Sequence, residues 1–179
     1  PVYVCMTSDF FLPEADEWRS EAWAMIKERQ DLSFVIETKR EHRFFKALPD
    51  DWEDGYENVT ILCSVENQRR ADDRIPAFLK LPVRHKGILC EPLLEKLVLD
   101  AYLKTGEIAQ VLCGGEEGAD ARVCDFAWVL ELMNQCVRCG VTFRFLRTGT
   151  FFRKGNRTYR IAEEEQEEQA RRAGVDYTP

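Results

Sequence analysis

The chain has 179 residues, of which 45% are hydrophobic, 32% charged and 11% aromatic, a composition typical of one folded domain and not of a disordered or collagen-like chain. Its net charge of −7 excludes a generally basic nucleic-acid surface and leaves open only a local basic groove. No apolar run approaches the roughly 20 residues that a membrane-spanning helix needs.

Six short apolar runs predict β-strands. They are almost continuously apolar, as is typical of parallel strands covered on both faces. The predicted strands are residues 2–6, 33–37, 59–64, 87–90, 110–113 and 142–146. The first strand begins without a basic leader or a signal-peptide-like stretch. We therefore expect the chain to begin inside a larger fold.

Amphipathic segments between the strands predict helices. These segments are residues 14–29, 41–48, 67–79, 93–104 and 126–139. The apolar stripe expected in the first helix consists of Trp18, Ala22, Met25 and Ile26. Gly140 is the predicted C-cap of the last one. Beyond the strands, Lys154-Gly155-Asn156 predicts a hairpin over residues 151–161, and residues 162–173 predict a charged surface helix.

The alternation of strands and helices predicts an α/β fold with right-handed crossovers. Polar residues follow the strands at intervals of 25 to 31 residues, which is the length of one unit of a (β/α) barrel. Six such units predict an incomplete barrel of about six parallel strands with outer helices. Residues 1–150 would form this partial barrel, and residues 151–179 would add the hairpin and the surface helix to the same domain.

The polar residues that follow the strands predict one functional rim, because ligands bind at the carboxyl ends of parallel strands. These residues are Asp9, Glu37, Glu66, Glu91, Glu116 and Arg147. The candidate binding residues are Ser8, Asp9, Thr38, Lys39, Ser64, Glu66, Asn67, Glu91, Gly114, Gly115, Glu116 and Arg147. The alternative is that these side chains only cap the helices that follow. No catalytic residue can be assigned from the sequence.

Two motifs beside the rim have a second interpretation. Residues 114–118, Gly-Gly-Glu-Glu-Gly, match neither glycine-rich phosphate motif, so they predict a turn that contacts a ligand rather than a phosphate loop. The adjacent Phe10 and Phe11 directly follow the first strand region. They could form a wall of the ligand site or simply pack in the core.

The seven cysteines lie mostly in apolar contexts and predict reduced thiols in a cytoplasmic protein. Cys136 and Cys139 form the only C-x-x-C pair, which supplies at most half of a zinc site. The only histidines are His42 and His85. The sequence therefore predicts no metal site, and we expect the pair to pack as small hydrophobic residues.

Five strand-end motifs occur in an order that resembles a phage-associated family of radical SAM-like barrels. The closest resemblance is to the radical SAM mobile pair proteins, which are encoded beside a second radical SAM protein. The motifs begin with Met6-Thr7-Ser8-Asp9-Phe10-Phe11 and continue with Glu37-Thr38-Lys39-Arg40, Ser64-Val65-Glu66-Asn67-Gln68, Cys90-Glu91-Pro92-Leu93-Leu94 and Gly114-Gly115-Glu116.

The resemblance implies S-adenosylmethionine and a [4Fe–4S] cluster as cofactors of the complete protein, and a second radical SAM-like protein as its partner. Asp9, Ser64, Glu66 and Glu91 would hold S-adenosylmethionine. Lys39 and Arg147 would bind its carboxylate or the substrate. The family's C-x₃-C-x₂-C motif is absent from this sequence. Because the cluster needs those thiolates, we expect this chain alone to assemble no cluster.

Three functions are consistent with these features. The first is the barrel portion of a radical SAM-like enzyme of unassigned reaction, inactive without an upstream cysteine segment. The second is a cluster-free binding or partner module on the same fold. The third, a hydrolase or lyase that uses Mg²⁺ or Mn²⁺, is weakened by the lack of a His-rich or D-x-D ligand pattern. The substrate cannot be read from the residues.

Overall fold

The central sheet of the computed structural model, which describes residues 1–179, has six parallel strands. They are β1 (Val2–Val4), β2 (Phe34–Thr38), β3 (Val59–Ser64), β4 (His85–Cys90), β5 (Ile108–Gly114) and β7 (Thr142–Arg147). Their spatial order is β1-β2-β3-β4-β5-β7. Because the order never reverses, the sheet winds in one direction as a barrel does. The predicted incomplete barrel is confirmed.

A small second sheet lies at the C-terminal side. It contains β6 (Cys124–Asp125), β8 (Phe151–Lys154) and β9 (Arg157–Arg160). β8 and β9 are antiparallel, and Gly155 at their turn has a φ of 59°. Such a positive φ costs glycine little, which suits the residue to this tight turn. The predicted hairpin is confirmed.

Five α-helices cover the chain between and after the strands. They are α1 (Arg19–Glu28), α2 (Gln68–Phe78), α3 (Asp100–Leu103), α4 (Phe126–Cys139) and α5 (Glu163–Arg172). Two 3-10 helices cover Pro13–Ala15 and Glu41–Lys46. The predictions for α2, α4 and α5 are confirmed, and Gly140 caps α4 in the left-handed conformation. None of these helices combines the length and the apolar character that crossing a bilayer requires.

The predicted helix over residues 93–104 is wrong, because only the last part of this segment, α3, is helical. Amide side chains from distant helices bond to the backbone before α3. Gln135 accepts from Leu99 N and donates to Leu97 O, and Gln68 accepts from Val98 N. These bonds satisfy backbone groups that would otherwise favour helical pairing.

The first helix is shorter than predicted and buries a different face. It begins at Arg19, and its buried residues are Arg19, Trp23 and Ile26, whereas Trp18 and Met25 are exposed. The Arg19 guanidinium donates to Phe10 O and pairs with Asp16. These contacts hold the preceding residues in turns and bury a charged residue that an apolar-stripe argument does not select.

The two faces of the central sheet carry separate apolar clusters. Because successive strand residues point to opposite faces, Ile61 and Leu62 lie on different sides. Ile61 belongs to the large cluster of 37 buried residues, which includes residues of the helices. Leu62, Leu89 and Leu112 form a small cluster on the other face, which we call the leucine face. The leucine face corresponds to the interior of a closed barrel.

The two edges of the central sheet differ. At the β7 edge, Phe143 and Tyr177 exchange backbone hydrogen bonds of 2.9 and 3.0 Å, so the C-terminal segment covers that edge. At the other edge, β1 pairs only with β2, and Tyr3 is 46% exposed. The sheet therefore has one covered edge and one open edge.

Candidate functional site

The side-chain alternation of the strands places acidic residues just beyond the leucine face. Glu37 lies two residues after Val35, and Glu91 lies two residues after Leu89, so both continue the leucine face at the carboxyl end of their strands. Parallel strands bring these ends to one edge of the sheet. Two acids of the predicted rim, Glu37 and Glu91, thus stand on the barrel's inner side.

A cavity of about 330 Å³ opens at this rim. We call it the strand-end cleft. Its charged lining consists of Glu37, Glu91, Glu116, Glu117 and Arg147. Its volume lies within the range of about 300 to 1,000 Å³ that small-molecule pockets occupy. Four carboxylates face one guanidinium, so the cleft favours a ligand that carries positive charge.

Arg147, the last residue of β7, is the cation of the strand-end cleft. Its Nε lies 2.8 Å from Glu91 Oε1, and its Nη1 lies 2.8 Å from Glu117 Oε1. Nε is in charge contact with Glu91, but its N–H is not aligned for a hydrogen bond, and the atom is buried from solvent. Arg147 is thus the positive centre around which the carboxylates of the cleft lie.

Burial raises the pKa values of the two carboxyl groups deepest in the cleft. The pKa of Glu91 is raised by desolvation and by the nearby Glu37 and Glu117 carboxylates, while Arg147 opposes the shift. The pKa of Glu37 is raised by desolvation, against the opposing charges of Lys39 and Arg147. A cation that enters the cleft would favour the ionised form of both carboxyl groups and so lower their pKa values.

Lys39 and Glu66 form a second charged group on the rim. Lys39 Nζ lies 2.7 Å from Glu66 Oε1, and Arg74 lies 3.2 Å from the other Glu66 oxygen. Arg74 also donates to the backbone carbonyl of the buried Ser64. Because both Glu66 oxygens already contact cations, Glu66 is less available to a ligand than Glu91.

Two of the candidate residues, Asp9 and Asn67, hold loops by capping contacts. Asp9 accepts hydrogen bonds from the Phe11 and Lys39 backbone N–H groups and from the Thr38 hydroxyl. Asn67 is the N-cap of α2 and accepts from Arg70 N. Their contacts satisfy backbone donors and lie outside the lining of the cleft. Ser8 is exposed in the turn after β1, also outside the cleft lining.

The two glycines after β5 permit close approaches of neighbouring groups, to a side chain at Gly114 and to backbone at Gly115. A Cβ on Gly115 would lie 2.2 Å from the Thr148 carbonyl oxygen, and a Cβ on Gly114 would lie 2.4 Å from Glu91 Oε1. Gly114 therefore leaves room for the Glu91 carboxylate. Gly115 lets the turn cross the backbone that follows β7, which sets the position of Arg147.

Glu116 lines the cleft, but its carboxylate is paired with Arg122, which is not part of the cleft lining. It accepts hydrogen bonds from both the backbone and the guanidinium of Arg122, which lowers the pKa of Glu116 to about 2. Glu116 therefore stays ionised and anchors the 116–122 loop.

A second acidic cavity of about 460 Å³ adjoins the strand-end cleft and shares Glu117 and Arg147 with it. Helix α5 supplies its remaining lining, Glu163, Glu164 and Glu167. The two cavities form one acidic trough in which Arg147 is the only cation that lines either part.

The cysteines do not fit an iron–sulfur cluster. No group of three or more His, Cys, Asp or Glu residues is placed to hold a metal ion. Cys63, Cys90 and Cys113 are buried in the strands, and burial raises the pKa of each thiol, so they favour the protonated form and not the thiolate.

Phe10 and Phe11 are buried in an aromatic cluster with Trp23 and Phe44. Their burial favours core packing over a wall of the ligand site.

One protein family, whose function is unknown, matches nearly the whole chain. Residues 1–176 match the family described as "Protein of unknown function (DUF5131)". The chain belongs to the DUF5131 family. The sequence has no match among curated proteins and none among solved structures.

The DUF5131 chain lines its acidic trough with several residues that are absent from the candidate set. Met6 and Glu117 line the strand-end cleft, and α5 adds three glutamates to the neighbouring cavity. Glu117 is adjacent to a candidate residue, so extending the strand-end motif by one position would have included it. No local signal connects α5 with the rim, because only the folded chain brings them together.

Proposed function

We propose that the strand-end cleft binds S-adenosylmethionine, as the ligand-holding part of a radical SAM-like enzyme. The observation that carries this proposal is the charge arrangement of the cleft, in which one guanidinium, that of Arg147, lies with the four carboxylates of the lining. S-adenosylmethionine is a matching zwitterion, because it carries a sulfonium, an ammonium and one carboxylate. The strand-end motifs that resemble radical SAM-like barrels support the same ligand.

Each charged group of the ligand has a counterpart in the cleft. The Arg147 guanidinium would donate hydrogen bonds to the carboxylate of the ligand. Glu37, which has no ion-pair partner, and Glu91, which shares Arg147 with Glu117, would attract the ammonium and the sulfonium. Bound positive charge would stabilise the ionised form of both carboxyls, so binding would release protons at pH values below their raised pKa values.

What we propose for these residues is limited to binding. The family that the sequence resembles uses an iron–sulfur cluster for reductive chemistry, and the thiols of this chain do not fit that group. A second radical SAM-like protein is the partner that the resemblance suggests. A cluster-free binding module is the second candidate function, and the buried protonated thiols favour it.

Calorimetric titration of the chain with S-adenosylmethionine tests the binding proposal. Glu91→Gln removes a partly buried carboxylate and should weaken binding by about 10- to 100-fold. Glu131→Gln is the matched control, because Glu131 lies on α4 outside the cleft. S-adenosylhomocysteine, which lacks the sulfonium charge, should bind more weakly than S-adenosylmethionine. No binding at millimolar concentration, or equal losses in both variants, would contradict the proposal.

Adding reductant and the second radical SAM-like protein that the resemblance suggests distinguishes the two candidate functions. An enzyme portion should support cleavage of bound S-adenosylmethionine in that mixture, and Glu91→Gln should reduce the cleavage rate. A binding module should leave the ligand intact while still binding it. Chromatographic assay of 5′-deoxyadenosine and methionine distinguishes these outcomes.

A further inference from the structure

A separate cavity of about 380 Å³ lies between the β8–β9 hairpin and α5, outside the acidic trough. We call it the hairpin cavity. Its lining combines aromatic and cationic side chains, among them Phe126, Phe152, Tyr159, Lys154, Arg160 and Arg172. Glu165 is its only carboxylate. The hairpin cavity therefore has the opposite charge to the strand-end cleft.

The positive charge of this cavity comes mainly from the hairpin. Residues 151–161 contain four cations, Arg153, Lys154, Arg157 and Arg160, and no acid, in a chain whose net charge is −7. Arg153 is paired with Asp125 at 2.7 Å, whereas Lys154 and Arg160 have no carboxylate within ion-pair distance. Two cations facing one cavity without partners attract an anion there.

The aromatic part of the cavity already contacts a cation. Lys154 Nζ lies 5.2 Å from the centre of the Phe126 ring, and the Phe126 and Phe152 rings are 5.7 Å apart. Tyr159 is 46% exposed on β9, so part of its ring is accessible to a flat ligand. Flat apolar surface and unpaired cations thus lie within one cavity.

We propose that the hairpin cavity binds a nucleoside phosphate, with the base on the aromatic side chains and the phosphate on Lys154 and Arg160. Stacking on an aromatic ring and charge pairing of the phosphate are the two interactions that single nucleotides and single strands share. The shared chemistry is a nucleoside 5′-phosphate, either free or at the end of a strand. This site lies across α5 from the acidic trough, which repels anions.

Titration with adenosine monophosphate tests the proposal, followed by calorimetry or by the chemical shifts of the hairpin residues. Lys154→Gln and Arg160→Gln should each weaken binding by about 5-fold or more, and adenosine without phosphate should bind at least about 10-fold more weakly. Tyr159→Ala should also weaken binding, by about 5-fold or more, through lost stacking. All three positions are exposed, so the variants are expected to fold.

Arg157→Gln is the matched control. Arg157 is an exposed cation of the same hairpin that does not line the cavity, so its loss should change the affinity less than about twofold. An equal loss in Arg157→Gln and Lys154→Gln would overturn the proposal, because it would indicate general charge attraction. Equal affinity for adenosine and adenosine monophosphate would also overturn it.

A 5′-phosphorylated hexathymidylate distinguishes the two sources of the ligand. Tighter binding of this strand than of the mononucleotide, still sensitive to Lys154→Gln, assigns the site to a strand end, and equal or weaker binding assigns it to a free nucleotide. Binding of neither probe at millimolar concentration refutes the site. Glu91→Gln should leave nucleotide binding unchanged, so the result is independent of the proposal for S-adenosylmethionine.

Discussion

Helix α5 separates two cavities of opposite charge. On one side, Glu163, Glu164 and Glu167 extend the acidic trough at the strand ends, and on the other side Arg172 and the basic hairpin form the second cavity. The same helix buries Gln166 and Ala170 against the protein. The net charge of −7 therefore describes neither cavity, because acidic side chains line the cavity on one side of the helix and basic side chains line the cavity on the other.

The sorting of charge also predicts how the two cavities respond to mutation. The acidic trough depends on close packing between turns, so substitutions there should affect both folding and binding. Lys154, Tyr159 and Arg160 of the hairpin cavity are exposed side chains, so substitutions of these residues should affect binding alone. The following predictions test this difference, from the largest expected effect to the smallest.

Gly115→Ala should cause the largest loss of stability. A new methyl group would lie 2.2 Å from the Thr148 carbonyl oxygen and 2.8 Å from Gly149 Cα, and backbone cannot move aside as a flexible side chain does. Overpacking of this kind costs about 3 kcal/mol in free energy of unfolding. Chemical denaturation measures it.

Gly114→Ala is the natural comparison for that variant. Its new methyl group meets the end of the Glu91 side chain, which can rotate, so the loss should stay below about 1.5 kcal/mol. It should instead weaken ligand binding in the cleft, because Glu91 must leave its position. An equal loss of stability in both variants would contradict the backbone argument.

Arg147→Gln should have the next largest effect. It leaves the partly buried Glu91 without its cation, so the free energy of unfolding at pH 7 should fall by about 1 to 2 kcal/mol. The pKa of Glu91 should rise further. The double variant with Glu91→Gln should recover most of the loss, and nucleotide binding at the hairpin should not change. A double variant no more stable than the single one would contradict this pairing.

The pH dependence of stability should show the raised pKa values of Glu37 and Glu91. Both folded pKa values lie above the ordinary value of 4.5, so the folded chain holds these protons more tightly than the unfolded chain. The free energy of unfolding should therefore fall as pH rises from 4.5 through the raised values. Glu37→Gln should make that decline shallower in denaturation curves measured across this range.

The same titration should strengthen ligand binding while it weakens the fold. Affinity for S-adenosylmethionine should increase as pH rises through the raised pKa values, because both carboxyls become anionic. Glu116 cannot cause this change, since its pKa is lowered to about 2 and it is ionised throughout. An affinity that is constant over that pH range would show that the two buried carboxyls do not contact the ligand.

Glu131→Gln should have the smallest effect. Its carboxylate lies 3.9 Å from Arg138 and 4.0 Å from Lys96, at the outer limit of an ion pair on the surface of α4. The free energy of unfolding should change by less than about 0.5 kcal/mol. Thermal denaturation measured beside the wild-type chain checks this. A larger change would mean that the surface charges of α4 contribute to the stability of the fold.

Much of the central sheet could be predicted from the sequence, because each strand is mostly apolar and is followed by a polar residue. The six predicted strands agree with β1–β5 and β7 to within about two residues at each end, as boundary uncertainty allows. The segment before α3 could not be predicted, since the amides of Gln68 and Gln135 reach it from elements about 30 residues or more away.

The candidate site could be predicted less completely. The position of Glu91, Glu116 and Arg147 at one rim follows from strand order alone. The contact of Arg147 with both Glu91 and Glu117 does not, because it depends on the side-chain geometry of two loops. The hairpin cavity was beyond sequence reasoning, since Phe126, Tyr159 and Arg172 come from three elements with no shared pattern.

The unequal edges of the central sheet limit how copies of this chain can associate through backbone pairing. Tyr177 pairs with Phe143 at the β7 edge, so that edge is not free to accept a strand from another copy. Growth of a continuous sheet needs two free edges per copy, so copies of this chain cannot add to one another indefinitely through this sheet.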